Sequence, residues 1–138
     1  QVFFKEEFPD PESIFKKNIE SCISKKSTLN FINNDFRKVD FSSIGKHNIY
    51  LFDGPHHYED HIDGIVHAQP ALTENYILIV DDWNWDQVRK GTIAAINQLN
   101  LTVISKLEIR TTHDGSNALF MGQNSDWHQG YCFFVIKK

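Results

Sequence analysis

The chain has 138 residues, which at roughly 100 to 200 residues per domain makes it one domain with enough length to bury a core. Its 41% hydrophobic and 23% charged residues, with no apolar run near the ~18 that a membrane helix needs, argue against a disordered chain and against a membrane-spanning one. The 14 lysines and arginines against 18 aspartates and glutamates leave a net charge of -4, so neither a nucleic-acid backbone nor an anionic membrane surface is an expected partner.

In chain order, Asp10 followed by Pro11 is a cap with a first-turn proline, and Ile14, Phe15, Ile19 and Cys22 continue as the apolar side of a helix over residues 11–24. Residues 28–33 read as a strand. Two compact apolar runs, 48–52 entering Asp53-Gly54-Pro55 and 76–80 entering Asp81-Asp82, read as buried parallel strands. Between them, Ile62, Ile65 and Val66 recur at helical spacing over residues 59–68, and the pattern stops before Pro70. Val88, Thr92, Ala95, Ile96 and Leu99 make the inner side of a second such helix, and residues 101–109 and 131–136 read as two more strands. Strands alternating with helices predict an α/β sheet with helices on both faces.

Ligands of such sheets bind outside the carboxyl ends of the strands, where this chain carries Asp35, Asp53, Asp81 and Asp82. Clustered carboxylates repel one another unless a cation or donor compensates, which points to a hard divalent metal held by oxygen ligands. Aspartate is also a common cap for the helix after a strand, but adjacent Asp81 and Asp82 exceed what capping needs. A second concentration follows: His56, His57, His61 and His67 place four of the seven histidines within twelve residues. His57 and His61, four apart, share one face of a helix and suit zinc or nickel, although H-E-x-x-H is absent. The bland reading is a solvated helix start, and the intermediate one is a single histidine, His56 or His57, acting as general base beside Asp53. Trp83, Trp85, Trp127 and Phe36 stand where a flat ligand could stack or where a core could take them. The strings G-x-G-x-x-G, G-x-x-x-x-G-K-[ST] and G-x-S-x-G are missing, which removes the main support for nucleotide hydrolysis and serine-hydrolase chemistry. Cys22 and Cys132 make no C-x-x-C spacing and no disulfide framework, which fits a cytoplasmic setting.

D-G-P-H-H-Y-E-D-H at residues 53–61, followed by A-Q-P-A-L at 68–72 and I-L-I-V-D-D-W at 77–83, resembles the class I S-adenosylmethionine-dependent methyltransferases, nearest the metal-dependent small-molecule O-methyltransferases. The resemblance covers residues 29–138. It implies a Rossmann-like, mostly parallel sheet with an antiparallel last strand, and a substrate-facing loop before that strand. It makes Asp53, Asp81 and Asp82 magnesium ligands, Asp35 and Phe36 contacts to the adenine of S-adenosylmethionine, and His56 a substrate contact or base. The family's first strand and glycine-rich cofactor loop have no counterpart here; the chain opens at Gln1, its only methionine is Met121, and the expectation is a truncated methyltransferase domain over residues 1–138. The strands that remain would then rearrange, exchange between subunits or leave an apolar edge that favours a homodimer. The alternative is a catalytically inert α/β module that dimerises through that edge.

Overall fold

A computed structural model describes residues 10–24, 26–119 and 127–138, which fall into two compact units, residues 1–33 and 34–138. In the first unit, α1 (Pro11–Cys22) starts as the sequence predicts: the Asp10 carboxylate accepts from the Ser13 amide at 3.0 Å, with Pro11 in the first turn. Phe15 stacks on Phe31 at 5.3 Å, and Lys16 lies over the Phe31 ring. The strand expected over residues 28–33 does not form. No second strand is present among the described residues of this unit, and a lone strand leaves its backbone donors and acceptors without partners.

The second unit is a four-stranded sheet built from β1 (His47–Phe52), β2 (Leu72–Val80), β3 (Thr102–Ile109) and β4 (Tyr131–Lys137), with α2 (Tyr58–Ala68) and α3 (Asp86–Gln98) as connections. The strand order is β1-β2-β4-β3. Only β1 and β2 pair in parallel, joined through α2; β2 with β4 and β3 with β4 are antiparallel. The sheet is therefore α/β and mixed, where a mostly parallel one was expected. The reason lies in β4, which returns between β2 and β3 and reverses both contacts.

Both helices lie on the same side. Ile65 and Ala68 of α2 and Val88, Ala95 and Ile96 of α3 join Tyr76, Leu78, Val80, Cys132, Phe134 and Ile136 in one core cluster, and these strand residues all share one parity. The expectation of helices on both faces is thus corrected. The other parity forms two rows running across the strands, Ile49-Ile77-Val135-Ser105 and Leu51-Ile79-Phe133-Leu107, and neither lies under a helix of this unit. Close helix packing is set by two glycines. A side chain at Gly64 would collide with the Phe52 ring, and one at Gly91 would meet the Tyr58 carbonyl and His61. No helix among the described residues is long and apolar enough to cross a membrane.

Candidate metal and acceptor site

The parallel pairing of β1 and β2 brings their carboxyl ends side by side, and the Asp81 amide donates to the Phe52 carbonyl at 3.3 Å to close that end. Asp53 follows β1; Asp81 and Asp82 follow β2. One carboxylate oxygen from each of the three lies within 4.8 Å of the others. Asp35, the fourth aspartate expected on this rim, is not part of the cluster. It caps a short 3-10 turn, Phe36–Lys38, by accepting from the Arg37 amide at 3.0 Å.

Asp82 adopts φ 56°, in the left-handed region that a residue with a β-carbon occupies at a cost. Its neighbours over-determine that shape. The Asp82 amide donates to Asp81 Oδ1 at 2.7 Å, the Trp85 amide donates to the Asp82 carbonyl at 3.1 Å, and His56 Nε2 meets Asp82 Oδ2 at 2.6 Å. The next residues pin the turn from behind: Trp83 is buried with its ring across Phe134, and the Trp83 and Asn84 amides donate to the Gly130 and Gln129 carbonyls. Asn84 is fully buried; its Oδ1 accepts from the Thr111 and Thr112 amides, and its Nδ2 donates to Thr111 Oγ1 at 2.7 Å.

Electrostatics follow from crowding. Burial pushes the Asp82 carboxyl up; His56 works against this, and the Asp81 and Asp53 charges add to it. Burial, then the Asp81 charge, raises Asp53 as well. Tyr131, at the start of β4, donates its hydroxyl to Asp81 Oδ2 at 3.2 Å; burial and then the Asp81 charge push it to about 12, so it stays a neutral donor.

The histidines separate. His56 sits edge-on to Trp85 at 4.4 Å and reaches Asp82. His57 is the exposed N-cap of α2, its amide donating to Asp60 Oδ2 at 3.1 Å. His61 is 1% exposed against Phe52, both ring nitrogens lack hydrogen-bond partners, and burial pulls it down to about 4. An exposed cap and a buried neutral ring do not form the His57–His61 metal pair that the spacing suggested. A cavity of about 420 Å³ opens beside His56, lined by His56, His57, Trp85, Asp86, Gln87 and Gly115. Of the aromatic residues singled out, Trp83 is core, Trp85 lines this cavity and Trp127 is exposed, edge-on to Tyr131. Residues 120–126, including Met121 and part of the expected substrate-facing loop, lie outside the described residues.

Phe36 packs across Phe52, and its ring already carries the Arg37 guanidinium 4.4 Å from its centroid. Arg37 in turn pairs with Asp60 and, at 2.8 Å, with Asp63 of α2. Burial pushes the Asp60 carboxyl up, but hydrogen bonds from Arg37 and the His57 amide outweigh it and hold Asp60 below the usual carboxylate range. Sequence reasoning missed Arg37, Asn84 and Tyr131. Asn84, inside D-D-W-N-W, carried the one available signal: a small amide directly after a buried tryptophan at a strand end. No known family model, curated protein or solved structure matches this chain.

Proposed function

We propose that the chain is the metal- and acceptor-binding part of a Rossmann-like, S-adenosylmethionine-dependent O-methyltransferase that acts on a small-molecule hydroxyl, in the cytoplasm. The carrying observation is the convergence of Asp53, Asp81 and Asp82 within 4.8 Å, beside a histidine and a cavity. Three carboxylates are hard oxygen donors, and two of them have raised pKa values, so the cluster carries an excess of negative charge that a divalent ion such as Mg2+ would relieve. The fit to the methyl donor is poorer. Asp35 is spent on its own turn and the Phe36 ring carries Arg37, so the described residues do not complete a donor pocket, and no step is routed through the donor.

A bound divalent ion supplies Lewis acidity, which orients an acceptor hydroxyl and lowers its pKa. The chain's own part begins with His56. With Nε2 held on Asp82, its Nδ1 is the nitrogen left to take the hydroxyl proton, and the resulting imidazolium is stabilised by the Asp82 carboxylate. Trp85 provides an apolar wall beside that imidazole, and Asp86 and Gln87 offer hydrogen-bonding groups to a polar acceptor. Tyr131 and the Asp82 amide hold the Asp81 carboxylate in place.

Calorimetric titration tests the reading. Mg2+ should bind the intact chain, and Asp82→Asn should weaken it at least tenfold. Equal affinity in wild type and variant would remove the metal assignment. Titration with S-adenosylhomocysteine separates the two readings of the chain. Binding near micromolar shows a donor pocket and supports the enzyme; no binding with Mg2+ affinity intact supports a methyltransferase-like module without turnover.

A further inference from the structure

The face of the sheet opposite α2 and α3, which no helix of this unit covers, is apolar across all four strands. Its two cross-strand rows hold isoleucine, leucine, valine and phenylalanine with one serine and no charge, and Ile49, Leu51 and Leu107 are 55%, 52% and 60% exposed. Such a patch exceeds what a monomeric protein leaves in water without a use for it. From the geometry we infer that this face binds a second copy of this chain, face to face, as a two-fold dimer.

Area is the first argument. Strands of six, nine, eight and seven residues at about 4.8 Å spacing project on the order of 400 Å². With side-chain relief, the accessible area is of the order of the roughly 800 Å² that one partner gives to a stable interface. The polar ends of the strands would form the rim around the apolar centre.

Charge is the second argument, and it selects the symmetry. Lys137 shares the open face at one end, in register with Asn75 and Thr102; Asp53, Asp81 and Tyr131 stand at the other. A two-fold axis in the interface plane and perpendicular to the strands lays the Ile77 row of one copy on the Ile79 row of the other. It also brings each Lys137 over the acidic end of the partner. Two attractions form at once, because an isologous interface uses each contact twice. An axis parallel to the strands sets lysine near lysine and acid near acid. The carboxylates outnumber the charge of a divalent ion, so the attraction persists with the metal bound. Stacked sheets about 10 Å apart would interleave the rows as in a β-sandwich.

Sedimentation velocity across 1 to 100 µM, on the whole chain, tests the inference. Wild type should be a dimer in the micromolar range. Leu51→Lys and Leu107→Lys, both exposed, should keep native circular dichroism and raise the dissociation constant at least a hundredfold. Lys137→Glu should raise it several-fold, and salt should weaken wild type more than this variant. Ile93→Lys, on the outer side of α3, should leave the dimer intact. A monomeric wild type at 100 µM overturns the inference, as does open-ended association. A dimer that survives both leucine variants overturns the face, and one broken instead by Ile104→Lys assigns contact to the β3 edge.

Discussion

Phe134 and Phe133 are neighbours on one strand, identical in chemistry and opposite in fate. Phe134 is 1% exposed, inside the core cluster that α2 and α3 share with the sheet and edge-on to Trp83; Phe133 is half-buried in the row that no helix of this unit covers. A pleated strand sends them to opposite faces, so the contrast measures the helices alone. Stability is therefore concentrated on one side of the sheet, while the other side carries apolar surface that no helix of this unit covers. The sharpest break of this contrast is the pair of alanine variants. Phe134→Ala should cost about 3 to 5 kcal/mol by urea denaturation, through lost burial and the cavity left behind. Phe133→Ala, measured at concentrations low enough to keep the chain monomeric, should cost about 1 kcal/mol or less. Equal costs would mean that the open face is covered in solution even in the monomer.

The covered side also hides a titratable group, which the open side does not. His61 is buried under Phe52 with no partner for either ring nitrogen, and its pKa falls to about 4 from the ordinary 6.5. The folded state binds its proton less readily than the unfolded state. Stability is then whole above pH 6.5 and declines as pH falls towards 4. For one group this amounts to roughly 1 kcal/mol between pH 6.5 and 5.5. His61→Gln should flatten that part of the profile. A wild type as stable at pH 5.5 as at 7.5 would show that the ring finds a partner or water when protonated.

The same division explains what could be read from the sequence. The two parallel strands, the two helices of the larger unit and β4 were legible because their apolar periods are strong and their ends carry Asp-Gly-Pro, Pro70 and Asp-Asp. The acidic cluster was legible for the same reason, since adjacent parallel strands with acidic carboxyl ends must converge. Residues 28–33 looked like a strand because their pattern was right; a strand also needs a neighbour, and sequence alone does not supply one. Helices on both faces were expected because strands alternate with helices along the chain, and the unbroken apolar runs 49–52 and 76–80 look like strands buried twice. Here no helix of the larger unit covers one of those faces, and the pattern is as apolar as if one did. Asp35 was placed on the rim as the carboxyl end of the strand expected over residues 28–33, but among the described residues no strand precedes it.

The smallest expected effect lies at the acidic end of the open face, at Asp53. Its carboxyl is raised by burial and by the Asp81 charge, so the folded state holds that proton more tightly than the unfolded chain does. For a carboxylate this is the inverted case. The group favours folding below its ordinary pKa near 4 and opposes it as pH rises through the raised folded value, because ionising it adds charge to an acidic cluster. Asp53→Asn should therefore raise the unfolding midpoint modestly at pH 7 and have little effect at pH 3, where the wild-type group is already neutral. Mg2+ sharpens the contrast: at pH 7 it should stabilise wild type by binding the folded chain, and stabilise the variant less. An Asp53→Asn midpoint that is lower at pH 7 would mean that Asp53 is held by a favourable partner, and the argument for a cation at this cluster would lose its electrostatic basis.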